Sequence, residues 1–367
     1  MESFVSTSED VLINSLSFNP HKSGSFVIDS KAIKIPSESG NRFSAVSQRL
    51  IRFRLAGSWL DPDSLRFAFD LRNESTTTAL SLLSPKAISI FNRARLIASS
   101  TVIEDVDLLS RTVTMLSKLI PPARLQNEMI MNGGGHNGNL TNPDGTLEPI
   151  AASDVRTMVV TLDMLGLFNQ SKYIPVEMMA GGLVLELELN SDATYACSHN
   201  EWIVENPAIL CDSKLLDSSL QEKYVSHLLS GKSLPITTKC LSCTMHTIVS
   251  TNQTIAIARG FSRLDAVFVS LYNSTQAGTK QINTYYHPMG NSSAITKTGD
   301  SVRLTVQLGS KKIPEYPISS LSEFYYRLQQ AVGLSHGESM NIKSRVFYVN
   351  FLIMFVYMDK LKKYEVL

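Results

Sequence analysis

Leu183, Leu185, Leu187 and Leu189 alternate with Val184, Glu186 and Glu188. Successive side chains of a strand point to opposite faces, so four leucines at spacing two predict one buried sheet face opposite a more polar one. The same period returns at Leu65, Phe67, Phe69 and Leu71, and again at Val302, Leu304, Val306 and Leu308, so both halves of the chain carry it. Further strands are predicted over 49–55, 88–97, 100–103, 157–162, 202–211, 244–249, 254–258 and 264–272. The Asp61-Pro62-Asp63 stretch reads as a turn ahead of the Leu65 strand, because proline presets the dihedral of a turn.

Helical spacing appears in three places. Residues 106–119 place Leu109, Val113 and Leu116 on one side and stop at Pro121-Pro122. Residues 215–229 carry Leu216, Leu220, Tyr224 and Leu228 and stop at Gly231. Residues 320–332 join a Ser320/Glu323 capping box to a stripe of Leu321, Phe324, Tyr325, Leu328 and Val332. Short strands with few helices predict an all-β fold of two jelly-roll β-sandwiches in tandem rather than a parallel sheet. The expected division is an N-terminal arm over 1–46 carrying one or two strands, a first jelly roll over 47–212 and a second over 213–367. Residues 132–154, with Gly133-Gly134-Gly135, read as a long surface loop.

Composition sharpens this picture by exclusion. The 367 residues are 43% hydrophobic and 18% charged, enough to bury a large core. Lysine and arginine number 34 against 33 acidic residues, so there is no global positive field to neutralise phosphates and no direct sequence-specific nucleic-acid binding is expected. Residues 1–12 lack the basic and apolar regions of a secretory signal, and synthesis in the cytoplasm is expected. The longest apolar run, 346–358, is interrupted by Asn350 and is shorter than the roughly twenty residues of a spanning helix; it reads as a buried strand or strand pair.

The motifs with chemical potential each meet a plainer reading. Gly333-Leu334-Ser335-His336-Gly337 has the form of a nucleophile elbow, but it follows a helix instead of a strand, and a helix-capping Gly333 followed by a turn accounts for it. Ser230-Gly231-Lys232-Ser233 resembles the end of a phosphate-binding loop, yet Ser226 stands where its first glycine belongs. Cys240 and Cys243 form a C-x-x-C near His246, with Cys197-x-His199 at an atypical spacing for a second zinc-ligand pair. The alternative, reduced thiols buried in strands, fits cysteine's preference for the interior. Whether Cys240 and Cys243 bind metal stays open at this point. The sequons at Asn73, Asn139, Asn169, Asn252, Asn273 and Asn291 matter only in a secreted chain. No residue is assigned to catalysis, to a cofactor or to a metal.

Four stretches in order, 59–71, 85–119, 166–175 running into 183–189, and 302–317, resemble the double jelly-roll major capsid proteins of small eukaryotic double-stranded DNA viruses, of the polinton-like virus and virophage type. The third is Gly166-Leu167-Phe168-Asn169-Gln170-Ser171-Lys172-Tyr173-Ile174-Pro175; the fourth contains Gly309, Ile313-Pro314 and Tyr316-Pro317. The resemblance implies a structural virion protein and no enzyme. Three copies would form a pseudo-hexagonal capsomer that tiles an icosahedral shell, with neighbouring capsomers, penton and minor capsid proteins as partners. Other readings of the same strands are a single jelly-roll shell protein with a projecting domain and a carbohydrate-binding β-sandwich protein.

Overall fold

Alternating leucines and phenylalanines do build facing antiparallel sheets in a computed structural model of the chain. The structure describes residues 26–121, 124, 149–179, 181–191, 195–250, 252–258, 260, 264, 266–272, 282, 303–318, 321–332 and 353–357. Two compact units emerge: Met1–Val113 with Met129–Thr244, and Thr114–Glu128 with Met245–Leu367.

The first unit contains β1 (Val27–Pro36), β2 (Arg42–Ser44), β3 (Leu50–Leu55), β4 (Trp59–Asn73), β5 (Phe91–Ala98), β6 (Thr101–Val106), β7 (Val155–Val160), β8 (Leu183–Leu189) and β9 (Trp202–Leu216). One sheet runs β1-β9-β4-β7 and the other β3-β8-β5-β6, with every pairing antiparallel. Because β2 pairs with the same side of β9 as β1 does, at Phe43↔Val204, the two are pieces of one interrupted strand. Counted as one, they give eight strands in the orders 1-8-3-6 and 2-7-4-5. That is the two-sheet connectivity of a jelly roll.

The sheets meet through aromatic rings. Phe67 of β4 lies 5.8 Å from Phe53 of β3 and 5.4 Å from Phe91 of β5, both edge to face, and Phe69 lies 6.0 Å from Phe91. Leu183, Leu185, Leu187 and Leu189 are fully buried beside them. The opposite side of β8 differs from the expected polar face: Val184 and Glu186 are also buried.

Two departures in the first unit have local causes. Residues 61–63 do not turn; β4 runs through them, and its ladder with β9 skips between Asp61 and Arg66. Pro62 has no N–H to give, so it sits where pairing lapses, while the Ser64 hydroxyl donates to the Asp61 carbonyl at 2.7 Å and accepts the Asp212 N–H at 2.8 Å. A second bulge sets Asn206 and Pro207 against Phe69, with Asn206 at φ 50°, a left-handed conformation that asparagine tolerates. The boundary drawn at 46/47 falls between β2 and β3, and that at 212/213 falls inside β9.

Helix α1 (Leu109–Ser117) follows β6, and α2 (Ser218–Leu229) follows β9. Leu220 and Tyr224 of α2 pack on Trp59 and Leu216, with the Trp59 and Tyr224 rings 4.8 Å apart. The helix stops where the Gly231 N–H reaches the Leu228 carbonyl at φ +78°, a cap that a residue without Cβ adopts without strain.

The second unit contains β10 (Ala266–Ser270), β11 (Leu304–Leu308), β12 (Lys311–Ile318), α3 (Leu321–Val332) and β13 (Ile353–Tyr357). β10 pairs with β13, and β11 with β12 around Gly309. Met115, Leu119, Ile318, Phe324 and Leu328 form its buried core. The strands expected over 244–249 and 254–258 are not formed: those residues join no ladder, and Met245, Val249 and Ile257 are exposed. Alternation supplies a face but not a partner, and without a ladder the backbone groups have no reason to extend. The Ser320 cap, Ser335 and its flanking glycines, residues 346–352 and most of the 132–154 loop lie outside the described residues.

Phe67 touches three other rings across and along the sheets, so Phe67→Ala leaves a cavity between them. The expected cost is about 3–5 kcal/mol, read by denaturant unfolding of the purified protein.

Candidate functional site

The residues that sequence reasoning singled out for chemistry are dispersed. Cys197 and Cys211 are buried, as expected of structural thiols. Cys240 is exposed and Cys243 half-buried in a stretch with no strand, so the expectation that this pair belongs to a strand core is corrected. The Cys243 sulfur lies 3.2 Å from the Thr112 hydroxyl. Among the described residues no group of three or more His, Cys, Asp or Glu side chains is placed to hold a metal ion. Lys232 and Ser233 follow the capped end of α2 in an irregular segment. No described helix is long and apolar enough to cross a membrane.

Asn73 shows why one sequon is unusable. Its buried amide donates to the carbonyls of Thr78, Ile150 and Ala151 at 2.8, 3.2 and 3.1 Å, and its oxygen accepts the Ser75 N–H at 3.0 Å. One side chain thus ties the segment after β4 to the segment before β7. Isolated bridges Leu80↔Ile150 and Leu82↔Cys197 extend the seam to the β8–β9 connection.

The outward side of the β3-β8-β5-β6 sheet is a cross-strand lattice of charge. Glu186 faces Arg52 on one neighbour and Arg95 on the other, at 4.0 and 3.0 Å. Arg49 reaches Glu188 at 2.8 Å, and Arg93 grips both oxygens of Asp105 at 2.8 and 2.6 Å. That fork, with the charge of Asp105, holds the Arg93 guanidinium above its ordinary range despite partial burial. Exposed pairs of this kind contribute at most about 1 kcal/mol each. Their geometry fixes register, since a slip by one residue would turn every charge inward. Arginine stems over the sheet also explain the burial of Val184 and Glu186.

The sheet edges are unequal. β1 carries Lys31, Lys34 and Pro36 and a bulge between Val27 and Asp29, all devices that discourage indiscriminate strand pairing. β6 has no lysine or proline, carries its own register shift where Leu96 pairs with Glu104 and Ile97 with Val102, and exposes Val102 and Ile103 at 47% and 46%. Glu104, between them and the core, was not singled out by the sequence. It is 5% exposed, and its two oxygens accept the N–H groups of Gly166 and Leu167 at 2.6 and 3.3 Å, holding the turn that precedes β8. A Cβ at Gly166 would fall 1.8 Å from the Lys239 carbonyl, so no side chain fits. Burial pushes the Glu104 carboxyl above its ordinary range against the pull of those two amides.

No family model matches the chain, and no curated protein matches it. Similar solved structures include the MCP of Sulfolobus turreted icosahedral virus (STIV), 13% identical, covering 89% of this chain and 92% of that one with a TM-score of 0.46. The Faustovirus major capsid protein is 8% identical over 58% of each chain, with a TM-score of 0.40. A PBCV-1 virus capsid chain is 9% identical over 79% of this chain and 55% of its own, with a TM-score of 0.42. The chain therefore spans little more than half the length of the latter two. Those three are viral capsid proteins, and at TM-scores below 0.5 they stand as likenesses alone.

Two outcomes follow. Burial pushes the Cys197 thiol up and the Cys211 thiol to about 12. In native protein at pH 8, iodoacetamide should therefore label Cys240 well before Cys197 or Cys211, as mass spectrometry of peptides will show. Glu104, with a folded pKa raised above its unfolded value, contributes stability that is fully present below the unfolded pKa of about 4.3 and is lost as pH rises through the folded pKa. Glu104→Gln should flatten the fall in stability that sets in above about pH 4.3, measured by urea unfolding at each pH.

Proposed function

We propose that this chain is a viral major capsid protein, a structural shell subunit rather than an enzyme. The observation that carries the reading is the jelly-roll connectivity of the first unit around an interior filled by Phe53, Phe67, Phe69 and Phe91. A roll whose interior is filled by rings offers its faces, edges and end loops. A sheet face covered by cross-strand ion pairs, and edge strands β1 and β6 interrupted by register shifts, suit a body that must limit indiscriminate strand pairing with its neighbours.

In this reading each chain supplies two rolls, the first built from β1 to β9, so that Val27–Ser44 of the expected arm and Ser213–Leu216 of the expected second roll belong to it. The second unit contributes its own strand pairs and helix toward the second roll. Three chains bring six rolls, hence a pseudo-hexagonal capsomer, and capsomers tile an icosahedral shell around the genome. The partners are other copies of the chain, with penton and minor capsid proteins completing the shell. A near-neutral charge balance leaves genome condensation to other components. The protein is made in the host cytoplasm and resides in the virion.

Purified full-length protein should run in analytical ultracentrifugation at three times the chain mass and show hexagonal capsomers or closed shells by electron microscopy. A monomer persisting at high concentration, with no assembled species under any salt condition, overturns the reading.

A further inference from the structure

We propose that Cys240 and Cys243 are a redox switch, which a low-molecular-weight disulfide closes into an intrachain bond, releasing the end of the segment after α2 from the first unit. The pair is the one C-x-x-C of the chain, and the shell role makes no use of it.

The segment is a strap. Residues 232–249 contain no turn, bend or strand, and the first part of this stretch is tied down at successive points. Leu234 and Ile236 pack on the cluster of Trp59, Leu216, Leu220 and Tyr224. The Lys239 carbonyl lies against Gly166, where a Cβ would fall 1.8 Å from it. Cys243 makes the last tie, to α1, with its sulfur 3.2 Å from the Thr112 hydroxyl. That hydroxyl also lies 3.0 Å from the Leu108 carbonyl, to which it donates its one hydrogen. Its oxygen is left to accept, so the Cys243 S–H is the donor. The tie stands at Thr244, the last residue before the chain enters the second unit.

Strap and disulfide exclude each other on two counts. Oxidation removes the S–H and with it the bond to Thr112. An unbent chain also separates Cα atoms three residues apart by about 10 Å, whereas a disulfide holds them at roughly 4.4–6.8 Å. Closure therefore bends the chain at Leu241-Ser242 and draws Cys243 off α1. Access sets the order of events: Cys240 is exposed and meets the small disulfide first, and half-buried Cys243 resolves it. The Cys240 thiolate attacks R–S–S–R and expels one RS⁻, leaving a mixed disulfide. The Cys243 thiolate then attacks the Cys240 sulfur and expels the second. The two protein thiols give up two electrons and two protons, and the small disulfide leaves as two RSH. Cys197 and Cys211, both buried, take no part. None of this depends on shell assembly, because every residue involved belongs to one unit of one chain.

The test uses full-length protein equilibrated with reduced and oxidised glutathione at graded ratios, quenched with N-ethylmaleimide and digested with trypsin. In the oxidising buffers the 240–259 peptide, which holds both cysteines, is expected two hydrogens lighter than its dithiol form and free of glutathione and maleimide; Cys240→Ser abolishes that species. Hydrogen exchange over 108–113, where the strap meets Thr112, is expected to quicken on oxidation of the unaltered protein and to stay constant in Cys240→Ser. Thr112→Val deletes the acceptor that stabilises the reduced form, and should move the glutathione equilibrium about fivefold toward the disulfide. Absence of the lighter peptide at every ratio, glutathione retained on Cys240, a disulfide joining two chains, or closure without a change over 108–113 overturns the proposal.

Discussion

The first unit depends on one constraint: two sheets must present apolar side chains to each other across a gap of about 10 Å and leave none of it empty. Phe67 meets that constraint most completely, since it stacks on Phe69 along its own strand and meets Phe53 and Phe91 edge-on across the gap. With period two imposed on the inner faces, the outer faces are free to carry charge, and they do so in rows that lock the strands in register. The edges are where the sandwich is left unfinished: β1 and β6 both carry a register shift, but β1 adds lysines and a proline while β6 exposes valine and isoleucine. Core, faces and edges thus have separate tasks, and those of faces and edges concern neighbours.

Legibility in the sequence followed burial. The leucines of β8, the inner residues of β4 and the three helices were visible because each buries a periodic set that a window of ten residues reveals. β1 was visible only as a possible strand in an arm, because most of its residues are exposed and its stability comes from the ladder with β9, a partner far along the chain. The continuation of β4 through Pro62 was misread as a turn, since a local rule for proline cannot know that Ser64 will bridge to Asp212. Residues 244–258 erred the other way, showing alternation without a described ladder.

The side chains that organise the end loops were the least legible. Asn73 looked like one sequon among six, and Glu104 like one carboxylate among thirty-three acidic residues. What sets them apart is the backbone groups that converge on them: three carbonyls on Asn73 and two amides on Glu104. Apart from the Thr78 carbonyl, five residues on, those groups belong to segments from about sixty to nearly eighty residues away along the chain, so no spacing rule exposes them. Arg42 and Glu74, which form an ion pair, share this character, since only the fold brings the first residue of β2 beside the residue that follows β4.

β9 is the last strand of its sheet to be made, yet it lies between the first and the third, pairing Leu216 with Val27 and Lys214 with Trp59. While a ribosome is still translating, β1, β2 and β4 therefore wait with open hydrogen-bonding sides, and no local contact can substitute for the missing middle. Such long-range closure folds slowly compared with local topologies. A nascent chain halted before residue 202 would carry every buried phenylalanine of the first unit and still lack the strand that lets the sheet shut, so the first unit closes only once β9 has been made.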